Sequence, residues 1–284
     1  MDLISLALVV RPLQQASPDR PLPRWWGRAA HHLLLQTLEM SDDELSAELH
    51  EGSELRPFTA STLHGRFPEH QLDLQDCYLL RFTGLNQPVA DALQGAVGDG
   101  GALSKGALIN LDFIDFEVQA VHHESGAHPL AERTSYHELA TASLLDAEPA
   151  ARRVSFYFAS STAFHRHGKQ MPYPLPELVI GSLLDRWNAF APIAFPVEAR
   201  RYATECLTLG HFEVRNRTVN VAGGVQNGFV GHVNFNTTNY DRYWMSLMQT
   251  LARFSYYSGV GVKTAMGMGQ CRKVVEREKK ANNE

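Results

Sequence analysis

Cysteine is scarce. Cys77, Cys206 and Cys271 are the only three in 284 residues, and they lie far apart. Thiols this few and this separated build neither a disulfide framework nor a cysteine-based zinc site; they fit a reducing compartment, so a cytoplasmic protein is expected. Long apolar runs are missing too. The longest near the start, Leu3 to Val10, is eight residues, whereas a spanning helix needs roughly 20. An acid precedes it and no small-residue cleavage site follows, so it reads as a strand rather than a signal peptide, and no membrane partner is expected. Neither G-x-x-x-x-G-K-[ST] nor G-x-G-x-x-G occurs in register, which counts against an ATP or dinucleotide enzyme; no cofactor is expected. His165 and His167 in "FHRHGK" lack a carboxylate close in sequence and read as surface-loop histidines, as do those of "VHHESGAH". No metal is expected.

What is present is ordinary for a folded globular chain, with 44% hydrophobic and 20% charged residues, enough apolar mass for two small cores. Its charge is uneven. Residues 1–199 carry 14 Lys and Arg against 25 Asp and Glu, while residues 200–284 carry 12 against 6. A basic C-terminal third on an acidic body suggests one face for a polyanion, or a solvated basic face with no partner.

Two successive β-α-β-β-α-β orders are expected. In the first, Leu3–Val10 is a strand and Pro23–Met40 a helix. "SDDEL" opens a short second helix by a capping-box pattern, ending near His50. "LRPFTASTL" and "CYLLRFTGL" follow as strands, then a helix from about Gln87 to Val97, then one long strand in "KGALINLDFIDFEVQAV". A polar linker over residues 123–149 separates a domain 1–122 from a domain 150–284. There, "RRVSFYFAS", "RRYATECLTLGHFEVRNRTV", "GGVQNGFVGHVNFN" and "GQCRKVVERE" read as strands. "PLPELVIGSLLDRWNAF" and "YDRYWMSLMQTLARFSYYS" read as the intervening helices. The fold class predicted is α+β, two tandem ferredoxin-like (RRM-like) domains. That fold hosts many functions and decides none.

The stretch "SYYSGVGVKTAMGMGQCRKVV" places Gly259, Gly261, Gly267 and Gly269 around Lys263, between the last helix and the last strand. A nucleotide loop has the opposite order, strand before helix. Two readings of the residues stand. The glycine-rich turn, with Thr264 and beside Arg272 and Lys273, can present backbone N–H groups to the phosphates of a nucleic acid. Equally, it can be a tight helix-to-strand connection whose glycines supply positive φ and close packing.

"GVGVKTAMGMG" resembles the C-terminal glycine-rich loop of the CRISPR-associated repeat-RNA endoribonucleases, of the repeat-associated RNA-binding superfamily. "LHEGSELRPFTAST", "RWNAFAPI" and "NGFVGHVNF" fall in the matching order along nearly the whole chain. The resemblance implies tandem ferredoxin-like domains and a CRISPR repeat RNA as partner. It further implies metal-independent cleavage by the ribose 2'-OH, leaving a 2',3'-cyclic phosphate and a 5'-OH. Other effector subunits and a second copy of the chain are further candidate partners.

That reaction needs a base for the 2'-OH, a cation for the charge gathering on the phosphorane, and an acid for the leaving oxygen. Histidine titrates in the right range for the first or last, and Lys or Arg serves the second. By position in "LHEGSELRPF" the resemblance makes His50 the acid–base group and Arg56 the phosphate clamp. The arginine braces a phosphate bidentately and is a poor proton donor. His31 and His32 on the first helix are the rival pair, about 100° apart, so at most one faces a given side. His50 ranks first and His32 second. The alternative is a catalytically silent subunit that grips guide RNA within an effector complex.

Overall fold

The computed structural model describes residues 1–17, 19, 21–41, 45, 55–221 and 224–274. It forms two compact units. The first comprises residues 1–135 with Asn220–Gly224 and Ala265–Gly267; the second comprises Tyr136–Val219, Val225–Thr264 and Met268 onward. The expected short helix ending near His50 lies almost wholly outside the described residues.

In the first unit, β1 (Leu3–Pro12), α1 (Gly27–Glu39), β2 (Phe58–Ala60), β3 (Tyr78–Gly84) and α2 (Gln87–Val97) follow in turn. β4 (Leu108–Leu111), β5 (Ile114–His122) and β6 (Glu132–Thr134) complete it. The sheet runs β2-β3-β1-β5-β4, with β6 also on β1. β2, β3, β1 and β5 thus take the ferredoxin-like arrangement, all antiparallel. α2 begins where sequence rules place it, with Asn86 accepting from the Val89 backbone N–H at 3.1 Å and Pro88 in the first turn. The helices bury Leu34, Leu38, Val89 and Leu93 against Leu6, Leu8, Phe82 and Phe116 of the sheet.

Two expectations change here. The predicted single strand over "KGALINLDFIDFEVQAV" is a hairpin, β4 and β5, turned at Asp112 with φ of 59°. Strand-like alternation on both sides of a turn without glycine or proline hid it, though Asp is among the residues that tolerate that conformation. The stretch expected as linker holds β6, which pairs Leu3 to Ser5, and a helix α3 (Tyr136–Leu144).

The second unit opens with α3, followed by β7 (Arg153–Thr162), the hairpin β8 (Phe164–Arg166) and β9 (Lys169–Met171), and α4 (Pro176–Phe190). α5 (Glu198–Cys206), β10 (Leu207–Val221), β11 (Gly224–Thr237), α6 (Arg242–Ser258) and β12 (Cys271–Lys273) follow. Its sheet order, β10-β11-β7-β12, repeats the ferredoxin-like arrangement. Phe156, Phe158 and Phe235 pack ring to ring beneath the helices, and Trp187 stacks on Phe195 at 4.3 Å. Residues 200–206, expected as the start of a long strand, belong instead to the helix Glu198–Cys206. The run "EARRYATEC" buries Ala199, Tyr202 and Ala203 at helical spacing, a period that overrides its β-branched flank. His165 and His167 sit in a real hairpin, turned by positive φ at His167 and Gly168.

Candidate functional site

Helix α1 sorts its two histidines. Its core stripe, Ala30, Leu33, Leu34 and Leu38, is buried. His31 lies half-buried at the edge of that stripe and His32 is exposed. The His31 ring sits 5.7 Å from Phe58 at the start of β2. Burial, the Arg56 guanidinium and His32 all hold its pKa below the usual histidine value, against the Ala265 backbone carbonyl, which favours the charged ring. The largest cause is desolvation, which penalises the imidazolium. Nδ1 is enclosed and has no hydrogen-bond partner among the described residues. Of the two described candidates, His31 is the one whose electrostatics involve Arg56. His50 lies outside the described residues.

The residues around His31 are fixed by features that the sequence reading passed over. Trp25 Nε1 donates to the Met266 carbonyl at 2.8 Å. A Cβ on Gly27 would lie 1.8 Å from that same oxygen, and one on Gly267, at φ of 90°, 2.8 Å from the Thr62 nitrogen. Ala265–Gly267 therefore lies against the start of α1 without room for a methyl group. A glycine opening a helix just after "RWW" was the available signal. Arg24, Arg28, Asp112 and Asn220 line an adjoining cleft of about 340 Å³, with Trp25 and Met266 in its wall. Arg28 pairs with Asp112 at 3.3 Å.

In the second unit, Gly259 caps α6 with φ of 62°, and the chain behind it is tied down almost amide by amide. Val260 N–H donates to the Gly269 carbonyl, Gly261 N–H to Ser182 Oγ, Val262 N–H to the Ala163 carbonyl and Gly269 N–H to the Ser161 carbonyl. Gly259, Gly261 and Gly269 are buried. A Cβ at Gly261 would come 2.2 Å from the Ala163 oxygen, and one at Gly269 2.1 Å from the Val260 oxygen. Those amides serve the fold, in line with the tight-connection reading of the loop. Lys263 holds φ of 55° and is half-buried, as is Lys273, while Arg272 is exposed.

Arg186 of "RWNAFAPI" explains how the loop keeps its shape. Only 7% exposed, it donates to Ser182 Oγ and the Gly261 carbonyl, both at 2.8 Å, and to Thr264 Oγ1 at 3.1 Å. Burial lowers its pKa to about 10, so it stays charged at neutral pH. The motif and the glycine loop, 75 residues apart, are one hydrogen-bonded structure. Among the described residues, no group of three or more His, Cys, Asp and Glu is gathered closely enough to hold a metal ion. No helix among them is long and apolar enough to cross a membrane.

Residues 156–271, from β7 to β12, match the family described as CRISPR-associated endoribonuclease Cas6. Over that span the chain is similar to Cas6. A Cas6 of Mycobacterium tuberculosis is 29% identical over 127 residues, which are 44% of this chain and 40% of that protein. The match thus spans less than half of the curated relative. Solved structures extend the likeness to both units. A Cas6 product complex is 28% identical with a TM-score of 0.77, covering 97% of this chain and 100% of that one. A Cas6 substrate mimic complex is 26% identical with a TM-score of 0.73, covering 96% and 100%. The tandem ferredoxin-like fold of this chain is therefore similar to the fold of those proteins.

Proposed function

We propose that this chain is a pre-crRNA processing endoribonuclease that cuts CRISPR repeat RNA without metal. The ribose 2'-OH would attack the adjacent phosphorus, leaving a 2',3'-cyclic phosphate and a 5'-OH. The observation that carries the reading is the place of His31, half-buried with its ring 5.7 Å from Phe58 and within electrostatic reach of the Arg56 guanidinium. A histidine held neutral at pH 7 is ready to take the 2'-OH proton, and a guanidinium next to it suits the charge that gathers on the phosphorane. With Nδ1 enclosed, Nε2 would be the acid–base atom. Lys263, Arg272 and Lys273 would contact the RNA backbone, on a loop whose buried glycines and Arg186 hold it in place. His50 and His32 are the other candidates for the acid that protonates the leaving 5'-oxygen.

The test is single-turnover cleavage of the host's repeat RNA by wild type, His31→Ala, His32→Ala and His50→Ala, with RNA affinity measured in parallel. Loss of about 10²–10⁴ in rate with affinity kept is expected for His31→Ala. Undiminished cutting by that variant removes His31 from the reaction. Absence of cutting by wild type, with RNA still bound, supports the silent guide-RNA-binding subunit instead.

A further inference from the structure

Between α5 and the start of α6, the second unit holds a cleft of about 330 Å³ that the reading above leaves without a role. Three aromatic side chains, Tyr202, Tyr240 and Trp244, form part of its wall. The rings of Tyr202 and Trp244 lie nearly parallel, 5.8 Å apart with their planes at 18°. The Tyr202 hydroxyl donates to the Asn239 carbonyl at 2.8 Å, which fixes that ring before anything binds. Aromatic faces carry negative potential, so a wall of this kind attracts a cation.

The charges on the same wall are mostly of one sign: Glu198, Glu205 and Asp241 stand against Arg201. Arg201 reaches Glu205 at 3.8 Å with both side chains largely exposed, a pairing that water weakens. Asp241 accepts from the Trp244 backbone N–H at 3.0 Å and caps α6. The carboxylates are not gathered closely enough to hold a metal ion, and their excess repels a phosphate backbone. An extended organic cation meets both the rings and the acids. A guanidinium suits them better than an ammonium, because it is planar, weakly hydrated, stacks on aromatic faces and forks toward carboxylates.

The rim tells what carries that cation. Val197, 71% exposed, precedes Glu198, and Tyr243, 50% exposed, packs edge-on against Trp244 at 5.1 Å. Exposed apolar groups around an anchor pocket suit a protein interface. A two-fold contact between copies of this chain would set the same carboxylates against one another, so a different, basic chain is the complementary partner. We propose that, independently of the RNA reading, this cleft docks another protein through one arginine. Its guanidinium packs on the aromatic wall and pairs with Glu198 and Glu205, while apolar neighbours rest on Val197 and Tyr243.

Full-length wild type and the double variant Glu198→Gln/Glu205→Gln are titrated with acetyl-Leu-Arg-Leu amide and with its citrulline counterpart, which keeps the shape without the charge. The Trp244 indole N–H resonance, assigned by its absence in Trp244→Phe, reports occupancy. Thermal melting shows that each variant is folded. Wild type should bind the arginine peptide with Kd on the order of 1 mM, and the citrulline peptide at least about threefold more weakly. The double variant, changed at two exposed positions, should bind the arginine peptide about tenfold more weakly and with less dependence on salt. An arginine peptide no better than the citrulline one, or a double variant equal to wild type, overturns the assignment. Repeat RNA alone shifting the Trp244 resonance in wild type and not in the double variant gives the face to RNA and overturns it too. So does self-association that the double variant abolishes, which gives the face to a second copy.

Discussion

Replacing Arg186 by methionine tests the account of the glycine loop. The substitution keeps much of the volume and removes the fork that holds Ser182, Gly261 and Thr264. Three hydrogen bonds from a charged donor contribute about 1.5–3 kcal/mol each, roughly 4–9 kcal/mol together. Against this stands the burial of the cation. The lowering of its pKa from 12.5 to about 10 corresponds to roughly 3 kcal/mol at about 1.4 kcal/mol per unit. The difference, taken near its middle, predicts a loss of roughly 3 kcal/mol. For a unit of this size that is a fall in melting temperature of roughly 6–12 °C, read by circular dichroism on the full chain. A change under about 2 °C would refute the reasoning, because the bonds would then do no more than offset the desolvation of the charge.

The loop glycines differ in kind from the surface glycines. Gly261→Ala, with its Cβ 2.2 Å from the Ala163 oxygen, should cost about 3 kcal/mol or more by chemical denaturation. Gly100→Ala, also at positive φ but with nothing within 4 Å, should cost only about 1 kcal/mol of backbone strain. Cleavage should rise with pH and reach half its plateau below the usual histidine pKa, since burial lowers that of His31. A single-turnover profile whose half-maximum lies above the usual histidine pKa contradicts a neutral His31 base. Lys273, lowered to about 8 by burial and by Arg253, is charged in both folded and unfolded chains below that pH. Between pH 8 and 10.5 the unfolded chain holds the extra proton, so wild type should gain stability with rising pH across that window and Lys273→Met should gain less.

The sequence made the fold legible wherever one period ran unbroken. Helix Gln87–Val97, with Asn86 capping it and Pro88 behind, is read to the residue, and Leu3–Val10 falls within β1. It was silent where an irregular residue interrupts a continuing pattern, as at Asp112, or where a short element such as Glu132–Thr134 exists only through its partner β1. The candidate site divides the same way. Arg56 and the glycine loop stand out as motifs. The choice between His31 and His32 depends on which face of α1 is buried, which the sequence around them leaves open. Ser182 has no signal in sequence, because its role is set by the Gly261 amide, brought from a distant loop.

The central claim is 2'-OH attack without metal, and its most direct test uses two repeat RNAs in EDTA. One is unmodified, and the other carries a single 2'-deoxy nucleotide before the cut. The account predicts cleavage of the first to a 2',3'-cyclic phosphate and a 5'-OH, with the second left intact. Cleavage of the deoxy RNA, or loss of cutting on the unmodified RNA in EDTA, contradicts it.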